Sequence, residues 1–341
     1  MSDVDKVYIV LVNYNSWQET IECVESILKN NYNNYQIIIV DNDSINNSMS
    51  KIIDWAEGKQ KIVYAEHSSL KHLSYPFKRK PIFYVLYSVD GIVKGRNYIV
   101  ENNCENPIIF IQSRKNDGFA AGNNIGIKYA IKKNDFSYIW LLNNDTVIEK
   151  NSLNNIFKYA QKKKTGITGS ALMYYKNPSV VQAYGGHINT FFGTGSHILD
   201  IDAIDEKLNY IVGASFLISR EVIDTLGLLP EEYFLYYEET DYCFNAQRHG
   251  FKLGVALDSI VYHKEGASTG GSSIGKTKSE FSDILSLQNR VTFHRKYLGG
   301  GIGLYTGLLI SLIVRIKRLQ LKRVWKIIQI LWKNKYVSNK H

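Results

Sequence analysis

Two short apolar runs, each ending in polar residues, constrain this chain most. Residues 8–16 read YIVLVNYNS and residues 36–44 read QIIIVDNDS, with a helical pattern over residues 17–29 between them. Such runs flanking a helix predict a β-α-β unit with both strand ends at one edge of a parallel sheet. Ligands of open α/β sheets bind at that edge. Asp41 leaves the second strand there, where an acid can meet a ribose hydroxyl or a base N–H. The first strand is followed by Asn13, Tyr14 and Asn15 and not by G-x-G-x-x-G, so a dinucleotide fingerprint is missing. Asp41-Asn42-Asp43-Ser44 reads equally as a turn with a helix cap.

Three further segments carry candidate chemistry. Residues 116–126, NDGFAAGNNIG, are dominated by small residues and Asn, which lets backbone approach a ligand closely. Residues 138–146, YIWLLNNDT, form a strand ending in Asn143, Asn144 and Asp145. A carboxylate at a strand end suits a hard cation, since Mg²⁺ and Mn²⁺ take one or two protein carboxylates plus substrate phosphates. N-N-D is also turn chemistry. Residues 261–269, VYHKEGAST, place His263 at the end of an apolar strand, a possible nitrogen ligand for the same cation. Residues 233–250, YFLYYEETDYCFNAQRHG, set Glu238, Glu239 and Asp241 behind an aromatic lead-in. Burial and like charge raise a carboxylate's pKa, which suits a general base. The same acids would complement a helix N-terminus.

Taken together, VNYNS, VDNDS, NDGFAAGNNIGI, WLLNNDT, the run from IVGASFLIS to AQRHG, and VYHKEGAST resemble a family 2 glycosyltransferase with the GT-A fold, of the bacterial rhamnosyltransferase-like branch. The pieces occur in order over roughly residues 6–270. The resemblance implies an α/β architecture with a Rossmann-like nucleotide-binding half and a mixed central sheet. It implies that Asn13, Asn15 and Asp41 border the base and ribose, and that Gly122, Asn123, Asn143 and Asn144 line the nucleotide-sugar pocket. Asp145 and His263 stand at the metal positions, with Mn²⁺ or Mg²⁺ the implied cofactor, although only the last residue of N-N-D is acidic. Gly213, Ala214 and Ser215 match a small-residue loop near the acceptor and leaving phosphates. Glu238 and Glu239 match the family's Glu-Asp pair, whose second acid is the catalytic base. Here that acid is Glu, and its longer arm leaves Glu238 and Asp241 open as alternatives. One base and one metal suit a single displacement with inversion. The implied substrates are a nucleotide-diphosphate sugar and a glycan or lipid-linked acceptor in surface polysaccharide synthesis. A non-catalytic nucleotide-sugar or glycan binder on the same fold is the alternative, because the metal motif has lost acids.

Charge separates the chain into two parts. Residues 1–283 hold 29 Lys+Arg against all 32 Asp+Glu, a net of −3, whereas residues 284–341 hold 12 Lys+Arg and no acid. We therefore read residues 1–283 as the catalytic domain, with residues 59–112 as an insertion, and residues 284–341 as a basic amphipathic helical tail. A basic tail on a near-neutral body disfavours a nucleic-acid binder and favours an anionic membrane surface, with a helix pair packed on the catalytic domain as an alternative that can hold at the same time. The uncharged run of 17 residues at 298–314 contains five glycines and falls at the low edge for a spanning helix. Within the insertion, FYVLYSV, a Gly-containing turn and NYIV suggest a hairpin, either an acceptor flap or a packing elaboration. Cys23, Cys104 and Cys243 are scattered, and MSDVDKVYIV lacks a signal-peptide pattern, so a reducing cytoplasm and peripheral attachment at the inner membrane face are expected.

Overall fold

The computed structural model describes residues 5–60, 69–88, 106–264 and 279–338. In chain order the strands of the first half are β1 (Val7–Asn13), β2 (Tyr35–Asp41), β3 (Tyr84–Ser88), β4 (Ile108–Gln112), β5 (Tyr138–Leu142) and β6 (Thr146–Ile148). Those of the second half are β7 (Ile167–Tyr174), β8 (Asn177–Ala183), β9 (Gly186–Asn189), β10 (Thr194–His197), β11 (Ser215–Ser219) and β12 (Leu253–His263). The central sheet runs β3-β4-β2-β1-β5-β11-β7-β12-β6, with β8 beside β7. From β3 to β5 every pairing is parallel. Polarity changes at β11, which is antiparallel to both β5 and β7. The sheet is therefore mixed, with one wholly parallel half, as expected from the motifs.

The parallel half follows from the period-two pattern of its strands. Val7, Ile9 and Leu11 of β1 face one core with Ile21 and Val24 of the helix Trp17–Ile27. Tyr8 and Val10 face the opposite core with Ala120, Ile127 and Ala130 of the helix Phe119–Lys133. Both faces are covered, so the strands are apolar throughout. Glycine sets the second packing distance. A Cβ at Gly126 would lie 2.5 Å from Val10 Cγ1, and one at Gly122 would lie 2.8 Å from Val12 Cγ1. These two glycines, one helical turn apart, let the helix lie directly on β1.

Three expectations change. The first arm of the supposed hairpin insert is β3, which joins the main sheet parallel to β4; its second arm lies outside the described residues. Part of the insertion packs as an elaboration, because Glu25 on the helix Trp17–Ile27 accepts from Lys80 Nζ at 2.6 Å, Lys78 N at 2.8 Å and Trp55 Nε1 at 2.9 Å. The division at residue 283 falls inside one helix, Glu280–Leu298, whose Phe293 is fully buried in the main core. The apolar run 298–314 is not one segment. Gly299, at φ 79°, ends that helix, and a new one of 16 residues begins at Ile302. No helix among the described residues is long and apolar enough to cross a membrane. The helices Ile302–Lys317 and Leu321–Ser338 instead pack on Glu280–Leu298 through Ile284, Leu287, Val291, Leu304, Leu308, Ile327 and Ile330.

Candidate functional site

Register places the first group of polar residues. Asn13, Asp41 and Gln112 are neighbours across the ends of β1, β2 and β4. Asn13 Nδ2 donates to Asp41 Oδ2 at 2.8 Å, and Gln112 Nε2 donates to Asp41 Oδ1 at 3.3 Å. The N–H of Ser44 also donates to Asp41 Oδ1, at 2.8 Å. Asp41 is 1% exposed, so its side chain closes the turn 41–44 that the sequence allowed rather than offering a free acceptor. Asn15 stands further out: its Oδ1 accepts from Ile45 N at 3.0 Å, its backbone N–H donates to Ser44 Oγ at 2.8 Å, and its φ is 56°. Asn144 is also turned inward. Its Nδ2 donates to Ser16 Oγ and Thr20 Oγ1, both at 2.8 Å, tying the turn after β5 to the start of the helix Trp17–Ile27. Asn123 bonds back to Phe119 O at 3.0 Å and is 2% exposed. Gly122 and Asn123 therefore pack their helix, and Asn13, Asp41 and Asn144 brace the edge.

A second group forms across the antiparallel β6-β12 pair, whose register sets His263 opposite Thr146. This brings His263 Nε2 to 3.2 Å from Asp145 Oδ1. The other ring nitrogen, Nδ1, donates to Gln182 Oε1 at 2.8 Å, and Asn143 Nδ2 lies 3.4 Å from Nε2. Burial pushes the Asp145 carboxyl up, but the adjacent His263 outweighs it and holds the group below the usual carboxylate range. Asn143 Oδ1 is buried with no hydrogen-bond partner among the described residues. One carboxylate, one imidazole and one unpartnered amide oxygen are a donor set that fits a hard or borderline divalent cation, if substrate oxygens complete it. No group of three or more His, Cys, Asp or Glu suited to a metal occurs among the described residues, so the protein side of such a site is open.

The acids form the third group. Glu238 and Glu239 open the helix Glu238–Arg248, and Oε2 of each is buried without a hydrogen-bond partner among the described residues. Burial pushes the Glu239 carboxyl up to about 7, against the lowering pull of backbone N–H groups. Burial, then the neighbouring Glu239, drives Glu238 well above the ordinary range. Asp241 differs. Tyr233 Oη donates to its Oδ2 at 2.6 Å, Tyr297 Oη to its Oδ1 at 2.7 Å, and Lys296 Nζ is 2.8 Å away. With both oxygens taken, Asp241 anchors its helix.

Residues 213–214 join the groups. The carbonyl of Ala214 accepts from Asn143 N at 3.1 Å. A Cβ on Gly213 would lie 3.8 Å from Glu239 Cγ and 3.6 Å from Phe119. The Ser215 hydroxyl points instead into the sheet, accepting from Trp140 Nε1 at 2.9 Å and meeting Ser170 Oγ at 2.7 Å. Gly118 completes the closure: at φ 94° its Cβ would fall 2.1 Å from Phe234 O, and the next N–H, of Phe119, donates to that oxygen at 2.7 Å. Gln112, Gln182 and Gly118 were missed in the sequence because each acts through a partner far along the chain.

The sequence profile "Glycosyltransferase like family 2" matches residues 82–279, and "Glycosyl transferase family 2" matches residues 8–74. The chain belongs to glycosyltransferase-like family 2. Two curated relatives are similar to it. The low-salt glycan biosynthesis hexosyltransferase Agl10 of Haloferax volcanii is 26% identical over 43% of this chain and 48% of its own. The dTDP-rhamnosyl transferase RfbF of Shigella flexneri is 21% identical over 45% of this chain and 50% of its own. The matched region thus spans about half the length of these relatives. Among solved structures, the mannosyltransferase PcManGT from Pyrobaculum calidifontis in complex with GDP-Man and Mn²⁺ has a TM-score of 0.52 at 11% identity, covering 98% of this chain and 88% of that one. That likeness concerns the fold, which is the GT-A fold that the family motifs implied.

The raised Glu239 pKa has a consequence for stability. An unfolded Glu ionises near pH ~4.3, so the unfolded chain loses this proton before the folded one does. The associated stability is present below that value and is lost as pH rises through about 7. Urea unfolding across this range should show wild type losing stability toward alkaline pH and Glu239→Gln losing less. Parallel pH profiles for the two proteins would mean the carboxylate is hydrated.

Proposed function

We propose that the protein is a metal-assisted, inverting glycosyltransferase. It moves a sugar from a nucleotide-diphosphate sugar to a hydroxyl of a glycan or lipid-linked acceptor in surface polysaccharide assembly. The observation that carries this reading is that Glu238 Oε2 and Glu239 Oε2 are buried without a partner among the described residues, with Glu239 beside the loop that reaches the end of β5. Glu239 is the base. It takes the proton of the acceptor hydroxyl while that oxygen bonds to the anomeric carbon and the bond to the diphosphate breaks. A pKa near the working pH suits this role. Burial sets the proton affinity of Glu239, whose charge in turn helps hold the proton on Glu238, and Asp241 holds the helix. The names of the two curated relatives favour a hexose or deoxyhexose donor.

Asp145 and His263, with Asn143 beside them, would hold a divalent Mn²⁺ or Mg²⁺. When bound, such an ion stabilises the charge on a leaving diphosphate. Gln182 fixes the ring of His263 so that Nε2 faces Asp145. Glu239→Gln should bind nucleoside diphosphate normally and lose transfer by ~10²–10⁴. Asp145→Ala should lose transfer too, and chelator should reproduce this in wild type. Near-normal turnover of Asp145→Ala in chelator, or of Glu239→Gln, would overturn the respective assignment. Binding without transfer by wild type from any donor in a nucleotide-sugar panel would favour the non-catalytic reading.

We also propose that the C-terminal helices seat on an anionic membrane surface. Ile302, Leu309, Ile310, Ile316, Leu319 and Trp325 are exposed, with Lys317, Arg318 and Lys322 exposed among them. Not every basic residue serves this surface: Arg315 and Arg323 pair with Asp283 at 2.5 and 3.0 Å, and Lys326 pairs with Glu280 at 2.7 Å. Attraction of ~1 kcal/mol per basic residue near the leaflet makes the three exposed ones sufficient together with the apolar face. Wild type should sediment with phosphatidylglycerol vesicles at low salt and be released as salt rises toward ~1 M. Reversing Lys317, Arg318 and Lys322 to Glu should abolish sedimentation, and equal sedimentation of both proteins would refute the surface.

A further inference from the structure

The acid pair follows a turn that ordinary side chains avoid. Phe234, Tyr236 and Tyr237 have φ of 60°, 72° and 76°, and none is glycine. Left-handed backbone at a bulky residue costs ~1–3 kcal/mol and persists only where the surroundings impose it. The surroundings are the carbonyl partners. The oxygen of Phe234 accepts from Phe119 N at 2.7 Å, and that of Tyr237 accepts from Asp241 N at 2.7 Å. The remaining three converge on one side chain. Asn289 Nδ2, on the helix Glu280–Leu298, shares its two N–H groups among Tyr233 O at 2.8 Å, Leu235 O at 2.8 Å and Tyr236 O at 2.9 Å. Tyr233 O has a second donor in Leu235 N at 2.7 Å. Asn289 itself is 5% exposed. A buried carbonyl stripped of its donor costs ~1–3 kcal/mol, so this turn cannot keep its shape without that amide.

We infer that Asn289 is a positioning residue for the acid pair, holding the turn 234–237 so that Glu238 and Glu239 stay aimed beside Gly213. The inference rests on the reading of Glu239 as base. A neighbouring contact supports it independently. Tyr237 Oη donates to Gly193 O at 2.8 Å at the tip of the β9-β10 hairpin. That tip is gripped by the same C-terminal helix, where His294 Nε2 donates to Phe191 O at 3.0 Å. It is also seated on the next helix, where a Cβ on Gly303 would fall 1.9 Å from Phe191 O. The helix that charge alone assigned to a tail is thus built into the acid turn from two sides.

The test compares Asn289→Leu, Asn289→Ser and the exposed control Thr292→Ala in the full chain. A misplacement of ~1 Å can cost ~10²-fold in rate, so Asn289→Leu should lose about that much plateau kcat, with the KM for donor little changed. Asn289→Ser, which keeps one donor, should fall between Leu and wild type, and it decides the matter if the Leu variant does not fold. A relaxed turn admits water to the carboxylates, so the acid limb of the kcat/KM profile should move to lower pH in both variants. Amide exchange over residues 234–241 should quicken in both and not in the control. Wild-type kcat and an unmoved acid limb in Asn289→Ser and Asn289→Leu, with Glu239→Gln inactive, would overturn the positioning role while leaving the base in place. An active Glu239→Gln would overturn the base itself, whatever the Asn289 variants do.

Discussion

Two adjacent carboxylates, each with one oxygen buried away from water at the end of a left-handed turn, are the constraint on which this architecture depends. A carboxylate with a buried, unpartnered oxygen is costly, and two side by side are more so. The chain holds them there by over-determining the turn. Phe119 N binds its outward carbonyl, Asn289 binds three others, and Asp241 locks the helix beyond through Tyr233, Tyr297 and Lys296. These partners come from the helix Phe119–Lys133, from Tyr233 just before the turn, and from the helix Glu280–Leu298. The start of the glycine-packed helix and the middle of the helix Glu280–Leu298 meet at this one turn.

The change of strand polarity explains why the other groups gather nearby. β5 ends at Leu142, opposite Ser215 at the start of its antiparallel neighbour β11, so Asn143 lies beside residues 213–214. The loop 213–214 therefore contacts Asn143 on one side and Glu239 on the other. Further along, β12 returns antiparallel to β6 and delivers His263 to Asp145. A wholly parallel sheet would leave His263 without this approach.

Much of this was legible in the sequence. The β-α-β unit, the strand at residues 138–142 and the acidic helix start are local patterns, and they appear at the expected places. The roles of individual polar residues were less legible, because a hydrogen-bond partner is a tertiary fact. Nothing near Asp41 or Asn144 tells that their side chains are consumed by Asn13, Ser16 and Thr20. Counting charge grouped residues 284–298 with the tail. The count does not see that Asn289 and Phe293 are buried, or that Arg315 and Arg323 both pair with Asp283. Gly122 was read as space for a ligand, whereas the space is taken by Val12.

The most direct test of this account is a ¹³C NMR titration of the Glu side-chain carboxyls, assigned by comparing wild type with Glu238→Gln and Glu239→Gln. The account predicts that Glu239 titrates far above an ordinary Glu, with a midpoint near 7. It also predicts that Glu238 does not titrate in the ordinary range. Midpoints for both acids near the ordinary ~4.3 would contradict it, because the turn would then be presenting them to water.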